Sequence, residues 1–337
     1  MTVALMTSEI APLDAETVQK GVVGVVVIGR NEGERLGRCL ETLAGLTGPL
    51  IYVDSQSTDG SRAVARAAGA DVIALDGARP CTAARARNAG MAALAALETP
   101  PEFVQFIDGD CMLDPAWLDA STAFLSNRGD VAVVCGRRRE RFADKTVFNW
   151  LIDREWDTPV GLARACGGDA LARLAALDGI GGFDPALIAG EEPEMCIRLR
   201  QAGWTIWRLD AEMTLHDADI TRLSQWWKRS RRAGHTYAEG MAMHGRGPEY
   251  HGVRQTGSAL VWGVAVPACA LAGLWVTPWS ALLVFVWPAQ MIRLGLKQRS
   301  LRQAVFLVLA KFPEAQGAVA YWWRRLFGRK TRLIEYK

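Results

Sequence analysis

Two aspartates one residue apart, Asp108 and Asp110, close the apolar run Phe103-Val104-Gln105-Phe106-Ile107. Such a run reads as a buried strand. Gly109 between the acids lets the backbone turn sharply, so both carboxylates can aim at one point. Paired carboxylates at a strand end suit a hard divalent cation, Mg²⁺ or Mn²⁺, which takes oxygen ligands and commonly keeps substrate phosphates as further ligands. Alone, Asp-Gly-Asp is an ordinary turn after a strand, and its surroundings give it weight. A second acidic group, Glu191-Glu192, follows Gly190 and precedes Pro193, a residue suited to a helix's first turn. Acids there favour the helix N-terminus, and a rigidly held carboxylate can serve as a general base. His216 has two readings, a further cation ligand or a loop histidine paired with Asp217 or Asp219.

The elements that must position these groups follow from the apolar pattern. Val22–Ile28 is apolar and β-branched, as in a strand buried on both faces, and ends at Arg30-Asn31-Glu32. A helix over 34–46 with Leu36, Leu40 and Leu43 at helical spacing follows. Leu50–Val53 is a second strand ending at Asp54, Ser61–Ala68 a second helix, and Val72–Leu75 a third strand. Ala83–Leu97 is an alanine-rich helix carrying Arg85, Arg87 and Asn88. The acid-tipped strand comes next. Strand and helix alternate from 22 to about 130, which predicts right-handed βαβ units in a mostly parallel, doubly wound α/β sheet. Ligands of such sheets sit outside the carboxyl ends of the strands, where Arg30-Asn31-Glu32, Asp54 and Asp108/Asp110 all fall. Val131–Cys135 and Trp204–Leu209 are expected as later strands, Arg137, Arg138, Arg139 and Arg141 as mostly solvated cations of which some could meet an anionic substrate, and Cys166–Asp169 as a flexible turn ending in an acid.

The chain has 337 residues, 50% hydrophobic and 22% charged, with a net charge of +3. That is a folded protein without the basic signature of a nucleic-acid binder. Neither a dinucleotide Gly-x-Gly-x-x-Gly after the first strand nor a P-loop is present. Seven cysteines without a Cys-x-x-Cys pair argue for free thiols in a reducing compartment. No secretory signal is visible in residues 1–20, which read as a loose leader.

Arg30-Asn31-Glu32, Val53–Gly60, Ala86-Arg87-Asn88-Ala89-Gly90, Asp108-Gly109-Asp110 and Gly190-Glu191-Glu192, in that order and spacing, resemble the family-2 glycosyltransferases of GT-A fold over roughly residues 22–240. The resemblance implies a nucleotide-sugar site made by Arg30, Glu32, Asp54, Arg87, Asp108 and Asp110, with Arg232 reaching the diphosphate. It implies a divalent cation held by Asp110 and Asp108, with His216 as the further candidate, and an acceptor site near Gly168 and Asp169. The general base falls at Glu192 by position. The usual pair is Glu-Asp, and the extra methylene of Glu192 keeps Glu191 in play. One base and one cation imply direct displacement with inversion at the anomeric carbon. A UDP-sugar is the favoured donor.

From Gly257 to Ile292 no residue carries a formal charge. One straight helix would span ~54 Å, too long for a ~30 Å bilayer core. Thr277-Pro278-Trp279 divides the run into a hairpin, or a re-entrant one, with Arg246, Arg254, Arg293, Lys297, Arg299 and Arg302 on both flanks. That places both flanks on the cytoplasmic side. Gln225 to Arg232 reads as an amphipathic helix near the membrane surface, and Tyr321–Arg325 as part of an interfacial helix. The expected organisation is a leader over 1–20 and a catalytic domain over 21–250, with a nucleotide-binding half (21–130) and an acceptor half (131–250). A C-terminal membrane-associated helical region follows over 255–337. The protein is expected to act at the cytoplasmic membrane on a lipid-linked or nascent-glycan acceptor in surface polysaccharide assembly. The rivals are transfer to polyprenyl phosphate, whose ionised acceptor has less need of a base, and a non-catalytic membrane scaffold of the same fold.

Overall fold

A computed structural model describes residues 23–328, so the expected leader lies outside the described residues. The N-terminal half alternates β1 (Val23–Gly29), α1 (Glu34–Glu41), β2 (Leu50–Asp54), α2 (Ser61–Ala67), β3 (Asp71–Ala74), α3 (Ala83–Ala95) and β4 (Phe103–Asp108). β5 (Cys111–Leu113), α4 (Trp117–Ser126), β6 (Val131–Glu140), α5 (Val147–Trp156), β7 (Gly161–Ala163) and β8 (Ala170–Arg173) follow. α6 (Leu174–Gly179), α7 (Glu191–Gln201), β9 (Thr205–His216) and α8 (Leu223–His244) complete the sheet-bearing part.

Nine strands form one sheet in the order β3-β2-β1-β4-β8-β6-β9-β5, with β7 paired to β9. β1, β2, β3 and β4 run parallel, as the apolar, β-branched strands demand. Val25, Val26, Val27, Tyr52, Val53, Val104 and Ile107 are buried in its core. β6 and β9 are also parallel. The sheet is nonetheless mixed, because β8 lies antiparallel between β4 and β6. That insertion has a direct consequence. Ala170 pairs with Phe106, so the residues just before β8 lie beside the carboxyl end of β4, where Asp108 sits.

Two expected strands are longer than their apolar runs. β6 continues through Arg137, Arg138 and Arg139, and β9 continues to His216. The paired strands satisfy each other's backbone groups, so charged residues can occupy the ladder. α1 is shorter than expected and ends at Glu41.

Beyond α8 the chain is helical: α9 (Val253–Leu260), a π turn (Val261–Ala265), α10 (Val266–Gly273), a 3₁₀ segment (Pro278–Phe285), α11 (Val286–Gln298), α12 (Leu301–Leu309) and α13 (Lys311–Leu326). Pro267 lacks the N–H that would continue the α-helical ladder, which accounts for the π turn before it. Two stretches, Val253–Gly273 and Pro278–Gln298, are long and apolar enough to cross a membrane. At their junction Trp275, Val276 and Trp279 are 94%, 86% and 75% exposed. α12 and α13 fold back onto the sheet-bearing part: Phe306 packs on Phe148 and Trp226, and Trp227 Nε1 donates to Gln316 at 3.0 Å.

Candidate active site

Arg87 is the centre of the site. Thr82 caps α3 by accepting from the Arg85 amide, and Arg87 lies in the helix's second turn. Its side chain is buried and bridges acids from distant parts of the chain. Nη1 is 2.8 Å from Glu191 Oε1 and 3.0 Å from Glu192 Oε1, and Nη2 is 3.0 Å from Asp108 Oδ1. α7 presents Glu191 and Glu192 in its first turn, where the helix dipole favours negative charge. Asp108 ends β4. One guanidinium therefore joins the two acidic motifs.

Arg138 holds the other side of Asp108. Its Nη2 donates to Asp108 Oδ2 at 3.0 Å, and its Nε lies 3.4 Å from Asp169 Oδ2. The expectation that this arginine is solvated is therefore corrected. Arg137 is also buried and pairs with Asp153 at 2.9 Å, whereas Arg139 is exposed and pairs with Glu212. Register shifts on either side of Arg137 break the alternation along β6, so no simple period in the sequence could have found Arg138. Burial pushes the Asp108 carboxyl up, but Arg87 and Arg138 outweigh it and hold the group well below the usual carboxylate range.

Asp169 is corrected too. Expected on the acceptor side, it is fully buried. Its Oδ1 accepts from the Asp108 amide at 2.9 Å and its Oδ2 from the Thr214 hydroxyl at 2.7 Å. Its carboxylate supports the site rather than facing an acceptor. Gly168, beside it, does lie over the cluster. A Cβ there would come 2.7 Å from Arg87 Nη2, 2.9 Å from Asp108 Oδ2 and 3.3 Å from Glu192 Oε1. A side chain at this position would have to push the tips of these three paired groups aside.

The paired aspartates do not converge on one point. Asp108 turns to the arginines. Asp110, also buried, turns to His216, whose Nε2 is 3.3 Å from Asp110 Oδ1. His216 is the last residue of β9, not a loop histidine paired with Asp217 or Asp219. Burial and Arg138 push its imidazole below its ordinary pKa, against the opposing pull of Glu140. That leaves the neutral ring a metal ligand needs. Ligand atoms of Asp110, Cys111 and His216 lie within 4.8 Å of one another, as do those of Asp108, Cys111 and Asp169. Burial raises the Cys111 thiol well above its ordinary pKa, so it stays a neutral thiol. The oxygen and nitrogen donors of Asp110 and His216 suit Mn²⁺ or Mg²⁺. His216 Nδ1 is buried without a hydrogen-bond partner and lies 3.8 Å from Glu140 Oε2, so the ring's outer nitrogen faces a carboxylate beyond hydrogen-bond reach.

The remaining expected residues surround this centre. Asp54 is fully buried at the end of β2, where its Oδ2 accepts from the Ser57 amide at 2.9 Å and its Oδ1 from the Tyr52 hydroxyl at 3.3 Å. It fixes the turn after β2. That turn is tied to the loop after β1 by Thr58 N donating to Asn31 Oδ1 at 2.7 Å and Asn31 N donating to Ser57 Oγ at 2.9 Å. Arg30 stands exposed beside this joint, and Glu32 pairs with Arg35 at 2.9 Å. Arg232, on α8, donates to the Ile188 carbonyl at 2.9 Å and so braces the loop that leads into α7.

Glu192 has the environment of a base. Its side chain is 17% exposed. Burial and the adjacent Glu191 push its carboxyl up to about 7, Arg87 restraining the shift. A carboxylate with that affinity exchanges a proton near neutral pH.

Residues 24–166 match the family model described as glycosyl transferase family 2. Among solved structures, a mannosyltransferase from Pyrobaculum calidifontis in complex with GDP-Man and Mn²⁺ is 17% identical. It aligns over 91% of this chain and 89% of its own, with a TM-score of 0.63. Glucosyl-3-phosphoglycerate synthase from Mycobacterium tuberculosis, with Mn²⁺, UDP and glucosyl-3-phosphoglycerate, is 19% identical over 66% of this chain and 79% of its own, at a TM-score of 0.49. S. aureus TarS 1–349 is 16% identical over 92% and 93%, at 0.48. No curated protein sequence matches the chain.

Proposed function

We propose that this chain, whose residues 24–166 match the glycosyl transferase family 2 model, is a glycosyltransferase that moves a sugar from a nucleotide-sugar donor to an acceptor hydroxyl, with inversion. The observation that carries this reading is the convergence of Asp108, Glu191 and Glu192 on Arg87. It sets a proton acceptor beside the strand end where a donor diphosphate would lie.

Arg30, Glu32 and the loop fixed by Asp54 form the nucleotide end of the site. Asp110 and His216 would hold a divalent cation, and the Mn²⁺ that accompanies GDP-Man in the Pyrobaculum enzyme makes Mn²⁺ the first ion to test. That ion would supply electrophilic stabilisation of the charge left on the diphosphate. Arg87 and Arg138 hold Asp108 ionised and in place. Glu192 takes the proton from the acceptor hydroxyl as it attacks, and Glu191 raises the proton affinity of Glu192. Gly168 gives the acceptor side a floor without a side chain. A UDP-sugar is the favoured donor. The exposed helical hairpin makes a lipid-linked or nascent-glycan acceptor the natural one, in surface polysaccharide assembly at the cytoplasmic face of the membrane.

The test is release of nucleoside diphosphate from a panel of nucleotide sugars by detergent-solubilised protein, with native membrane lipid as an acceptor source. Mn²⁺, Mg²⁺ and chelator are compared. Cation-dependent release from one donor, lost in Asp110→Ala and Glu192→Gln, is expected. No release, joined to no Mn²⁺-promoted nucleotide binding, would overturn the catalytic reading.

A further inference from the structure

We propose that Trp156 is the positioning residue of this site: its indole holds His216 and Arg138 in the orientations in which they face Asp110 and Asp108. The His216 half of this rests on the reading of Asp110 and His216 as the cation pair. The Arg138 half rests on geometry alone.

Trp156 is the last residue of α5. Its ring meets the His216 imidazole edge to face, with centroids 4.7 Å apart and planes at 89°. The Arg138 guanidinium lies over the same indole, 4.7 Å from its centroid. One side chain thus touches a group that faces Asp110 and a group that bonds Asp108. The contact matters because the polar partners, Asp108 and Asp169 for Arg138 and Asp110 and Glu140 for His216, leave one nitrogen of each group without a hydrogen bond. His216 Nδ1 has no hydrogen-bond partner, and Arg138 Nε is buried without one. An imidazole can turn about its Cβ–Cγ bond, and an arginine has several soft torsions. The indole blocks the first motion with its bulk and opposes the second through cation–π attraction.

Trp156 can do this because α5 is itself held at both ends. Towards its start, Phe148 stacks on Trp226 at 6.2 Å and meets Phe306 edge-on at 5.8 Å, and Ile152 is buried in the same cluster. Towards its end, Asp153 accepts from Arg137 at 2.9 Å and from the Glu140 amide at 3.0 Å. Asn149 donates to Glu140 Oε1 at 3.2 Å. Glu140 is the carboxylate facing the outer nitrogen of His216. α5 therefore touches β6 on either side of Arg138 and reaches His216 both directly and through Glu140.

The experiment is calorimetric titration of Mn²⁺ into the full-length protein in detergent, without donor. Wild type, Trp156→Phe, Trp156→Ala, His216→Ala and the Trp156→Ala/His216→Ala double variant are compared. Trp156→Ala is expected to weaken Mn²⁺ binding at least fivefold. Trp156→Phe, which keeps an aromatic face, should stay within twofold of wild type. In the His216→Ala background, Trp156→Ala should add no further loss, because its effect runs through the histidine. Should the alanine variant fail to fold, Trp156→Leu replaces it with the same expectation. Unchanged Mn²⁺ affinity in a folded Trp156→Ala protein overturns the proposal, and so does an equal loss in the His216→Ala background. Wild-type protein that takes up no Mn²⁺ overturns the cation reading itself, and the His216 half of the proposal with it. With active protein, Trp156→Ala should raise the donor KM more than it lowers kcat. The reverse split would contradict positioning of donor-side groups.

Discussion

In the proposed reaction Glu192 is the residue on which the chemistry turns, and its carboxyl makes two separable predictions. As a base it must be ionised, so the rate of transfer should rise with pH through about 7 and level off above. Glu192→Gln should lose the rate by about 10²-fold or more and lose that pH limb, read from initial rates between pH 5.5 and 9. The stability effect has the opposite direction. Glu192 binds its proton more tightly folded, at about 7, than its ordinary value of 4.5. The stability this contributes is present in full below about 4.5 and is lost as pH rises through about 7. Glutamine stays neutral throughout, so thermal melts should find Glu192→Gln at least as stable as wild type at pH 8, with the gap closing towards pH 4.5. A rate that stays flat from pH 5.5 to 9 in the wild type would remove Glu192 from the role of base. At this scale the sequence was informative about residue types and silent about directions. Asp108 and Asp110 flank one glycine in any reading, but only the turn after β4 decides that one faces Arg87 and Arg138 and the other His216. Arg138 reads as a surface cation until the pairing of β6 with β9 carries it inside. Trp156 has no motif at all.

The elements were legible where apolar patterns are long. β1, β2, β4 and α3 follow directly from their valines, leucines and alanines, and their parallel order follows from the alternation. β8 was not legible. Ala170-Leu171-Ala172 is too short to show a period, and only the gap between β4 and β6 selects it as a strand. That insertion explains Asp169, whose carboxylate bonds the Asp108 amide because β8 runs antiparallel to β4. The α8–α13 crossing was equally invisible, because small residues carry no periodic signal. A Cβ at Gly317 would overlap the Arg231 carbonyl on α8, and one at Gly234 would overlap the Glu314 carbonyl on α13. Backbone cannot yield as a side-chain tip can, so the helices close only on glycine. Gly317→Val should cost about 1–3 kcal/mol. The expected readout is a melting temperature several degrees lower, together with faster proteolysis after the C-terminal arginines, Arg324 and Arg325. A melting curve superimposable on wild type would show that the crossing does not contribute.

At the scale of the molecule, the exposed apolar surface is concentrated on the helices after α8, and its tip is bare. A soluble monomer rarely shows such a contiguous patch. Cations flank the hairpin at Arg246, Arg254, Arg293 and Lys297, as expected of helices entering anionic lipid from one side. Replacing Trp275 and Trp279 together with aspartate should lower partitioning of the protein into anionic vesicles at least about tenfold, measured by co-sedimentation, because a buried carboxylate opposes insertion. Retained partitioning would place the lipid contact elsewhere. The uncharged length and its central proline made this hairpin readable. The return of α12 and α13 onto α8 and α5 was not, since Lys311, Pro313 and Glu314 interrupt the apolar pattern there.

On the proposed membrane reading, the hairpin also changes which concentration governs the reaction. With the tip in lipid, the site is held at a fixed height above a surface, and an amphiphilic acceptor diffuses in that same plane. Encounter then becomes a two-dimensional search. Its rate follows the number of acceptors per unit area of membrane and ignores the volume of water around it. Diluting acceptor-loaded vesicles tenfold would leave turnover per bound enzyme unchanged, whereas diluting the acceptor within the bilayer by added lipid would slow it.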